Sequence, residues 1–416
     1  MHRRHLLHAS AIAGSMFGVS AKGAVLEPKP LPGDTLFHSN PEAYWNRIRD
    51  EQFLLPGWRA FLNNGSLGIA PVPVVKAVSD YLASSAGLEM EYYPRWGYEQ
   101  MDEFRQELSD FYGCKKEELA LMHNATEAMS TIAAGLDLKA GEEVLLTDQE
   151  HPSGRGCWYM RAARQGIQVR EVKIPLPPKS PEQIADLLIS AIGPRTRVIS
   201  FSGITTTTGL ITPVRQICEA ARSKGVISVV DGAHMHGQIP FRISELNCDY
   251  MAGSPHKWVF APAGCGLLYI REDNLEKLWP TIVSGSWNDT KLKAGRFMVV
   301  GTNNRSIMEG MMAGLKFAKE IGPERIHARA HQLARHLFQK ARECQHVDLL
   351  TPDDDRMFGA LVTVKFKTGK LDKFHELLAK RRIWCFRGEQ VRLSTHIHTR
   401  PQDVDLYFDT IREALG

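Results

Sequence analysis

The sequence lacks the patterns that mark several large classes of protein. It has no dense block of Lys and Arg with interleaved aromatic residues, no internal repeat and no low-complexity tract, and its 51 Lys+Arg against 47 Asp+Glu leave a formal net charge of only +4. Because nucleic-acid binding depends on a basic surface, we expect no nucleic-acid partner. With 43% hydrophobic and 24% charged residues among 416, the chain is predicted to be a large globular protein rather than a disordered or disulfide-stapled one.

Cysteine and metal-binding patterns are also scarce. The chain has 7 cysteines, an odd number, and no C-x-x-C motif, which argues against a zinc ribbon or a disulfide framework. His327 and His331 are four residues apart on a predicted helix, with His336 close behind, but no acidic base motif accompanies them. We therefore expect free thiols, a solvated histidine face and no metal site.

Acidic residues are absent from residues 1–26, which we call the export segment. Arg3 and Arg4 precede two leucines and a small-residue run over 9–21, a pattern similar to a twin-arginine export signal. That run is too short and too rich in Gly, Ser and His to anchor the chain in a bilayer, so we expect no stable membrane insertion. The prediction is export to the periplasm; the alternative is a basic disordered N-terminus on a cytoplasmic protein.

From about residue 61, short apolar runs alternate with stretches of helical spacing such as 213–224. The runs are 119–122, 144–147, 198–204, 226–231 and 266–270. This alternation predicts βα units and a mostly parallel sheet with helices on both faces. After a linker and arm over 27–60, we expect a large domain over 61–304 and a smaller α+β domain over 305–416.

Residues that carry chemistry follow several of these runs, where ligands bind in open α/β sheets. An Asn-Ala-Thr helix start follows the first run and exposes backbone N–H groups to an anion, although an ordinary N-cap looks the same. Asp231 ends a buried run and needs a cation, such as a protonated pyridine nitrogen, to stay ionised. Lys257 lies among apolar and small residues, so burial would lower its pKa and suit it to imine chemistry, unless it extends along the surface. His151 follows another run and is compatible with a capping or core histidine.

Together these segments resemble the class V aminotransferase family of pyridoxal 5′-phosphate (PLP) enzymes. The likeness rests on Ala-Gly-Ser-Pro-His-Lys-Trp around Lys257, Val-Asp-Gly-Ala-His around Asp231, the Asn-Ala-Thr-Glu-Ala helix start, and Glu150-His151. The Ala-Pro and Gly-rich turn over 261–266 is most similar to the isopenicillin N epimerase-like branch. The resemblance covers residues 62 onward and implies the PLP-dependent transferase fold (aspartate aminotransferase-like, fold type I) and a homodimer.

The resemblance also implies a role for each matching residue. Lys257 would carry PLP as a Schiff base and move a proton at the substrate Cα, Asp231 would keep the pyridine nitrogen protonated, and His151 would stack on the ring. The implied phosphate contacts are Ala125, Thr126, Ser254 and His256, with Thr302 reaching the phosphate across the dimer interface, and Thr206 and His234 lie at the O3′ edge. Arg392 would grip the substrate carboxylate with its bidentate fork, and Asn64 would contribute to the substrate pocket.

The implied reaction begins at the Cα of an amino-acid-like substrate with a free carboxylate and ends in epimerisation, transamination or elimination. The alternatives are an exported side-chain-modifying or C–S-cleaving PLP enzyme, a cysteine desulfurase, and a PLP-binding protein without turnover. A desulfurase is disfavoured because Cys385 lies before the short 388–390 loop, in an apolar strand pattern where we expect it buried and inert. Loops over 88–96 and 284–293 are expected to contact the substrate side chain.

Overall fold

The structure is a computed structural model that describes residues 26–87 and 101–416. The export segment, apart from its last residue, and the predicted substrate loop over 88–96 lie outside the described residues. Within residues 26–87 and 101–416, every helix is too short or too polar to span a bilayer.

Helices alternate with strands through most of the described chain. The helices are α1 (Asp34–Ser39), α2 (Pro41–Gln52), α3 (Val72–Ala86), α4 (Asp102–Tyr112), α5 (Ala125–Gly135), α6 (Pro152–Gln165), α7 (Pro181–Ala191), α8 (Val214–Ser223), α9 (Ile243–Leu246), α10 (Pro255–Trp258), α11 (Arg305–Ile321), α12 (Pro323–Arg342), α13 (Asp372–Lys380) and α14 (Pro401–Leu415). The strands are β1 (Ala60–Phe61), β2 (Leu119–Met122), β3 (Glu143–Thr147), β4 (Gln168–Val172), β5 (Thr196–Ser202), β6 (Ile227–Asp231), β7 (Tyr250–Gly253), β8 (Gly266–Ile270), β9 (Val347–Leu349), β10 (Leu361–Phe366), β11 (Ile383–Trp384) and β12 (Gln390–Ser394).

The large sheet has seven strands in the order β2-β8-β7-β6-β5-β3-β4. The pairs from β7 through β4 are parallel, and β8 is antiparallel to both β7 and β2. Strands such as β3 and β5 are almost continuously apolar because helices cover both faces of a parallel sheet. The predicted mostly parallel sheet is confirmed. Polar β4 was not among the predicted strands, because it lies at the sheet edge and exposes most of its side chains.

A smaller antiparallel sheet has the strand order β12-β10-β9 and packs around its own core. Its core contains side chains from α12, α13 and α14, among them Leu337, Phe374 and Phe408. β1 pairs in parallel with β11, and Ala60 and Leu62 are buried in this same core. The boundary predicted at residue 61 therefore falls within β1, on a segment that packs against the smaller sheet.

The three histidines of α12 are not on a simply solvated face, so that prediction was wrong. His327 and His331 are partly buried, and their Nδ1 atoms lie 2.9 Å from the Gln238 carbonyl and 3.0 Å from the Gly359 carbonyl. His336 lies 3.0 Å from Asp405. Two backbone carbonyls and one carboxylate are thus the partners of these imidazoles, and no group of three or more His, Cys, Asp or Glu suited to a metal occurs within 26–87 and 101–416.

Candidate functional site

Two adjoining cavities lie beyond the carboxyl ends of β3, β5, β6 and β7. The first, which we call the inner cavity, has a volume of about 200 Å³, and among its lining residues are Ala125, Thr126, His151, Thr206, Asp231, His234, Ser254, His256 and Lys257. The second, the outer cavity, has a volume of about 410 Å³ and is lined by Gly65, Ser66, His151, Pro152, Thr206, Thr207, Lys257, Phe386, Gln390 and Arg392. Most of the predicted site residues therefore meet at one edge of the large sheet.

Lys257 lies on the short helix α10, in the wall common to both cavities. Burial lowers the pKa of its ammonium group to about 8, with Arg392 acting in the same direction and Asp231 opposing. The backbone around it is held from outside: the Asn64 side chain donates to the Lys257 carbonyl at 2.8 Å, and the Gly68 N–H donates to the His256 carbonyl at 3.0 Å. The backbone that carries the amine is thus fixed in position, and the amine loses its proton at a lower pH than an ordinary lysine does.

His234 lies beside the Lys257 amine, and its tautomer follows from its neighbours. The Trp258 indole N–H lies 3.3 Å from Nδ1 and can only donate, so Nδ1 must accept. Burial is the main reason why the pKa of His234 lies well below its ordinary value, so the ring is neutral and carries its proton on Nε2. That nitrogen lies 3.2 Å from Lys257 Nζ and 3.3 Å from Thr206 Oγ1. Trp258 was missed from the sequence, because adjacency to Lys257 does not reveal which way its indole points.

The N-terminus of α5 forms an anion cradle. Asn124 caps the helix by accepting from the Glu127 N–H at 2.9 Å, and the Ala125 N–H donates to Ser254 Oγ at 3.2 Å. Thr126 is exposed at the cavity wall, where the helix dipole favours negative charge. His256 places Nδ1 2.7 Å from the Cys265 carbonyl, so an anion would accept a proton from its Nε2 only when the ring is cationic.

The floor of the inner cavity carries a carboxylate. Asp231 ends β6, is buried, and accepts from the Ala233 N–H at 3.0 Å. The α-carbon of Gly154, near the start of α6, faces this carboxylate, and a Cβ there would lie 3.1 Å from Asp231 Oδ2. His151 caps the same helix, with its Nδ1 accepting from the Ser153 N–H at 3.1 Å. Burial is the main cause of the lowered pKa of His151.

Arg392 supplies the cation of the outer cavity. One terminal nitrogen donates to the Thr206 carbonyl at 2.9 Å and to Thr206 Oγ1 at 2.6 Å, and the other donates to Ser66 Oγ at 3.0 Å. Its Nε is buried without a hydrogen-bond partner in the described part of the chain. The Phe386 ring lies 5.7 Å from the guanidinium carbon. Burial lowers the pKa of Arg392 to about 10, which leaves it charged at neutral pH and suited to a carboxylate.

Two predicted site residues are not brought to the cavity walls. Asn64 lies behind Lys257, between its carbonyl and His398, whose Nε2 is 3.2 Å from Asn64 Oδ1. Thr302 is absent from the lining of both cavities. The predicted substrate loop over 284–293 contributes no lining residue either. Cys385 directly follows β11 instead of lying within it, and burial raises the pKa of its thiol to about 12.

The donors of the inner cavity fit PLP. A buried amine with a lowered pKa suits the aldehyde, a helix N-terminus with Ser254 suits the phosphate, and an otherwise unpaired buried carboxylate suits a protonated pyridine nitrogen. When bound, the cofactor would be held by Lys257 at its aldehyde and by Asp231 at its pyridine nitrogen. Ala125 and Thr126 would bind its phosphate. The fold and the site together define a PLP-dependent enzyme.

Comparison with known proteins identifies the family. Residues 61–412 match the family described as aminotransferase class-V. Isopenicillin N epimerase of Streptomyces clavuligerus is 32% identical over 395 residues, 90% of this chain and 99% of that protein, and its namesake of Amycolatopsis lactamdurans is 30% identical over 392 residues, 89% and 98%. A solved structure of C-DES with glycine covalently linked to its PLP cofactor has a TM-score of 0.76 at 24% identity, covering 86% of this chain and 96% of that one.

The chain belongs to the class V aminotransferase family. The predicted resemblance, the fold type I architecture and PLP as the cofactor are thereby confirmed. The comparisons also confirm that the chain is an enzyme of the epimerase or aminotransferase type.

Proposed function

We propose that this enzyme epimerises the Cα of an amino-acid-like substrate that has a free carboxylate. The observation that carries the proposal is the position of Lys257, whose side chain lines both the cavity that contains Asp231 and the cavity that contains Arg392. One amine can therefore serve the cofactor and reach the Cα of a substrate whose carboxylate is bound by Arg392. The likeness to two isopenicillin N epimerases over most of the chain supports the same reaction.

The ionisable residues of the site are assigned as proton acceptor and proton donor at the substrate Cα. PLP supplies an electron sink that stabilises negative charge at the Cα. Lys257, with a pKa of about 8, is about one-tenth neutral at pH 7 and mostly neutral above pH 8, and the neutral amine can accept the Cα proton. Epimerisation also needs a proton donor on the opposite face. His151 is the other ionisable side chain common to both cavity linings within the described chain, and we assign it that role in addition to contact with the ring. Because burial lowers its pKa, the ring acts as the donor only in its protonated form, which should favour this step at lower pH.

The proposal can be tested with a panel of amino acids and short peptides that end in a free carboxylate. Incubation in deuterium oxide should label the Cα and convert one stereoisomer into a mixture, measured by mass spectrometry and chiral chromatography. Lys257→Ala should abolish both, and borohydride reduction of the parent protein should fix PLP on Lys257. Label incorporation with complete retention of configuration would contradict epimerisation while leaving proton abstraction at the Cα intact.

The alternative reactions have different products. A C–S lyase would release pyruvate and sulfide, and a side-chain-modifying enzyme would change the mass of the substrate beyond one deuterium. Desulfuration needs a nucleophilic thiolate, but the pKa of Cys385 is raised to about 12 by burial, and no cysteine lines either cavity in the described residues. A PLP-binding protein without turnover would incorporate no deuterium at all.

The proposal includes a homodimer and export. Exposed apolar side chains at Trp279, Ile282 and Val283 support a partner chain, which would bring Thr302 to the phosphate of the neighbouring subunit. Light scattering should give twice the mass of one chain. The export segment, fused to a reporter, should direct it to the periplasm, and replacing Arg3 and Arg4 by Lys should retain it in the cytoplasm.

A further inference from the structure

A second carboxyl group lies behind Asp231, and the proposed reaction does not use it. Glu150 is buried with 5% of its surface exposed. Its two oxygens accept from Thr147 Oγ1 at 2.5 Å and from Ser202 Oγ at 2.6 Å. Ser202 is the register partner of Asp231 in the parallel pair of β5 and β6, so the two carboxyl groups belong to neighbouring strand ends.

Glu150 has no cation of its own. Within residues 26–87 and 101–416, no Lys, Arg or His nitrogen forms an ion pair with it at 4.0 Å or less. Burial without a counter-ion, next to a like-charged carboxylate, favours the protonated form. Its two hydroxyl partners can either donate or accept, so they accommodate the carboxyl group in both protonation states. Glu150 is therefore a buried group that can change charge without losing its hydrogen bonds.

The ionisable groups that interact with this pair of carboxyl groups all do so through Asp231. They are His151 and Cys157, at and within α6, and Lys257 on α10. His234 and Arg392 interact with Lys257 and His151 and lie one group further away, and Asp231 is the carboxylate that interacts with Glu150 itself. A cation that arrives at Asp231 would therefore also be close to the charge that Glu150 can develop.

We propose that Glu150 is a positioning residue whose ionisation is coupled to binding of the protonated cofactor ring, with Asp231 as the direct contact and Glu150 as a second carboxyl group behind it. The inference rests on the proposed placement of the pyridine nitrogen at Asp231. By linkage, a cationic ring that favours ionised Glu150 is itself bound more tightly when Glu150 is ionised.

The coupling has a direction and a pH window. Burial is the main cause that raises the pKa of Glu150 to about 7, and the negative charge of Asp231 adds to it. The hydrogen bonds from Ser202 and Thr147 favour the ionised form and therefore lower the pKa. Below that pH the side chain is neutral and resembles glutamine. Above it, the added negative charge strengthens attraction for the ring. Glu150→Gln should therefore matter little in mild acid and increasingly at alkaline pH.

The test measures binding of pyridoxamine 5′-phosphate to the full chain freed of PLP, because this probe forms no Schiff base with Lys257. Intrinsic tryptophan fluorescence gives the dissociation constants of the parent and of Glu150→Gln from pH 6 to 8.5. We expect their ratio to rise from about two at pH 6 to about tenfold at pH 8.5. A ratio that is constant across this range, whether at one or above it, would overturn the proposal.

Two further variants make the result specific. Glu118→Gln removes another buried carboxyl group, at the start of β2, and should leave the ratio near one at every pH. Ser202→Ala keeps Glu150 but removes a hydrogen bond that favours its ionised form, so the pH midpoint of the affinity change should rise. This variant decides the question if Glu150→Gln does not fold, since an unchanged midpoint would contradict the coupling. A parent protein that binds the probe at no pH would overturn the cofactor site itself, and the inference with it.

Discussion

Gly154 lies close to the carboxylate of Asp231. A Cβ at this position would lie 3.1 Å from Asp231 Oδ2, a tight contact that the carboxylate would have to relieve by moving a few tenths of an ångström. Sequence reasoning identified Asp231 from its place at the end of an apolar run, but it could not identify Gly154. The close approach depends on how α6 packs over β6, which no local pattern of residues specifies.

Gly154→Ala should therefore weaken PLP binding, by about tenfold if Asp231 shifts enough to lose its contact with the ring nitrogen. The measurement is the dissociation constant of PLP from the full-length protein, followed by the visible absorbance of the bound cofactor. Gly156→Ala lies on the same helix, meets nothing within 4 Å, and should bind PLP normally. Equal affinities of the two variants would show that Asp231 tolerates a neighbour at Gly154.

The sequence was most informative about residues that carry chemistry and least informative about residues that orient them. Lys257 and Asp231 follow apolar runs, so their place at the sheet edge could be predicted. Trp258 and Ser66 act through hydrogen bonds to residues distant in the chain, such as the contact of Ser66 with Arg392 at 3.0 Å, and Glu150 accepts from distant Ser202. Trp258 and Glu150 belong to the recognised motifs, but these partners are set by tertiary packing, which is why the sequence did not reveal their roles.

At the scale of elements, the turn after β1 acts as a clamp on α10. Asn64 donates to the Lys257 carbonyl and lies 3.2 Å from His398, and Gly68 donates to the His256 carbonyl. A helix of four residues has little hydrogen bonding of its own, so these external partners fix the lysine backbone. Asn64 thus contributes to the site by holding Lys257, whereas the prediction had it in the substrate pocket.

Asn64→Ala should destabilise the protein by about 1–3 kcal/mol, because it leaves a buried carbonyl and the His398 ring without their partner. It should also slow formation of the Schiff base with added PLP, while the affinity for pyridoxamine 5′-phosphate changes little. Chemical denaturation and stopped-flow absorbance measure the two effects. Asn63→Ala is the matched control, since the Asn63 side chain accepts from the exposed Ser66 hydroxyl and, among the described residues, makes no contact with the Lys257 backbone. Normal Schiff base kinetics in Asn64→Ala would contradict the clamp.

At the scale of the whole molecule, buried neutral histidines contribute to the loss of stability in acid. Burial lowers the pKa of His236 to about 3 and that of His396 to about 4, against about 6.5 in an unfolded chain. Below pH 6.5 the unfolded chain therefore binds protons that the folded chain does not, and stability falls as pH falls. His234, His398, His256 and His151 act in the same direction, whereas Glu150, whose folded pKa is raised, opposes it between about pH 7 and 4.3.

His236→Phe should reduce the loss of stability that accompanies the fall in pH below 6.5. Both ring nitrogens of His236 are buried without partners among the described residues, and the ring packs edge-on against Tyr112 at 4.6 Å, a contact that phenylalanine can keep. The free energy of unfolding should fall by about 2 kcal/mol less between pH 6.5 and 4.5 than in the parent. Urea titrations at each pH measure the slope, so a uniform packing penalty cancels. The exposed His38→Gln serves as control, and an unchanged slope in His236→Phe would sink the explanation.

The order of strands along the chain has a consequence for synthesis. In the described part of the chain, β1 pairs with no strand except β11, which lies more than three hundred residues later in the sequence. Ala60 and Leu62 are buried against segments that follow residue 330. A nascent chain on the ribosome therefore carries this apolar stretch unpaired until β11 has been synthesised. A chain released before that point would expose the stretch, so the turn that clamps Lys257 takes its final position only after β11 is available.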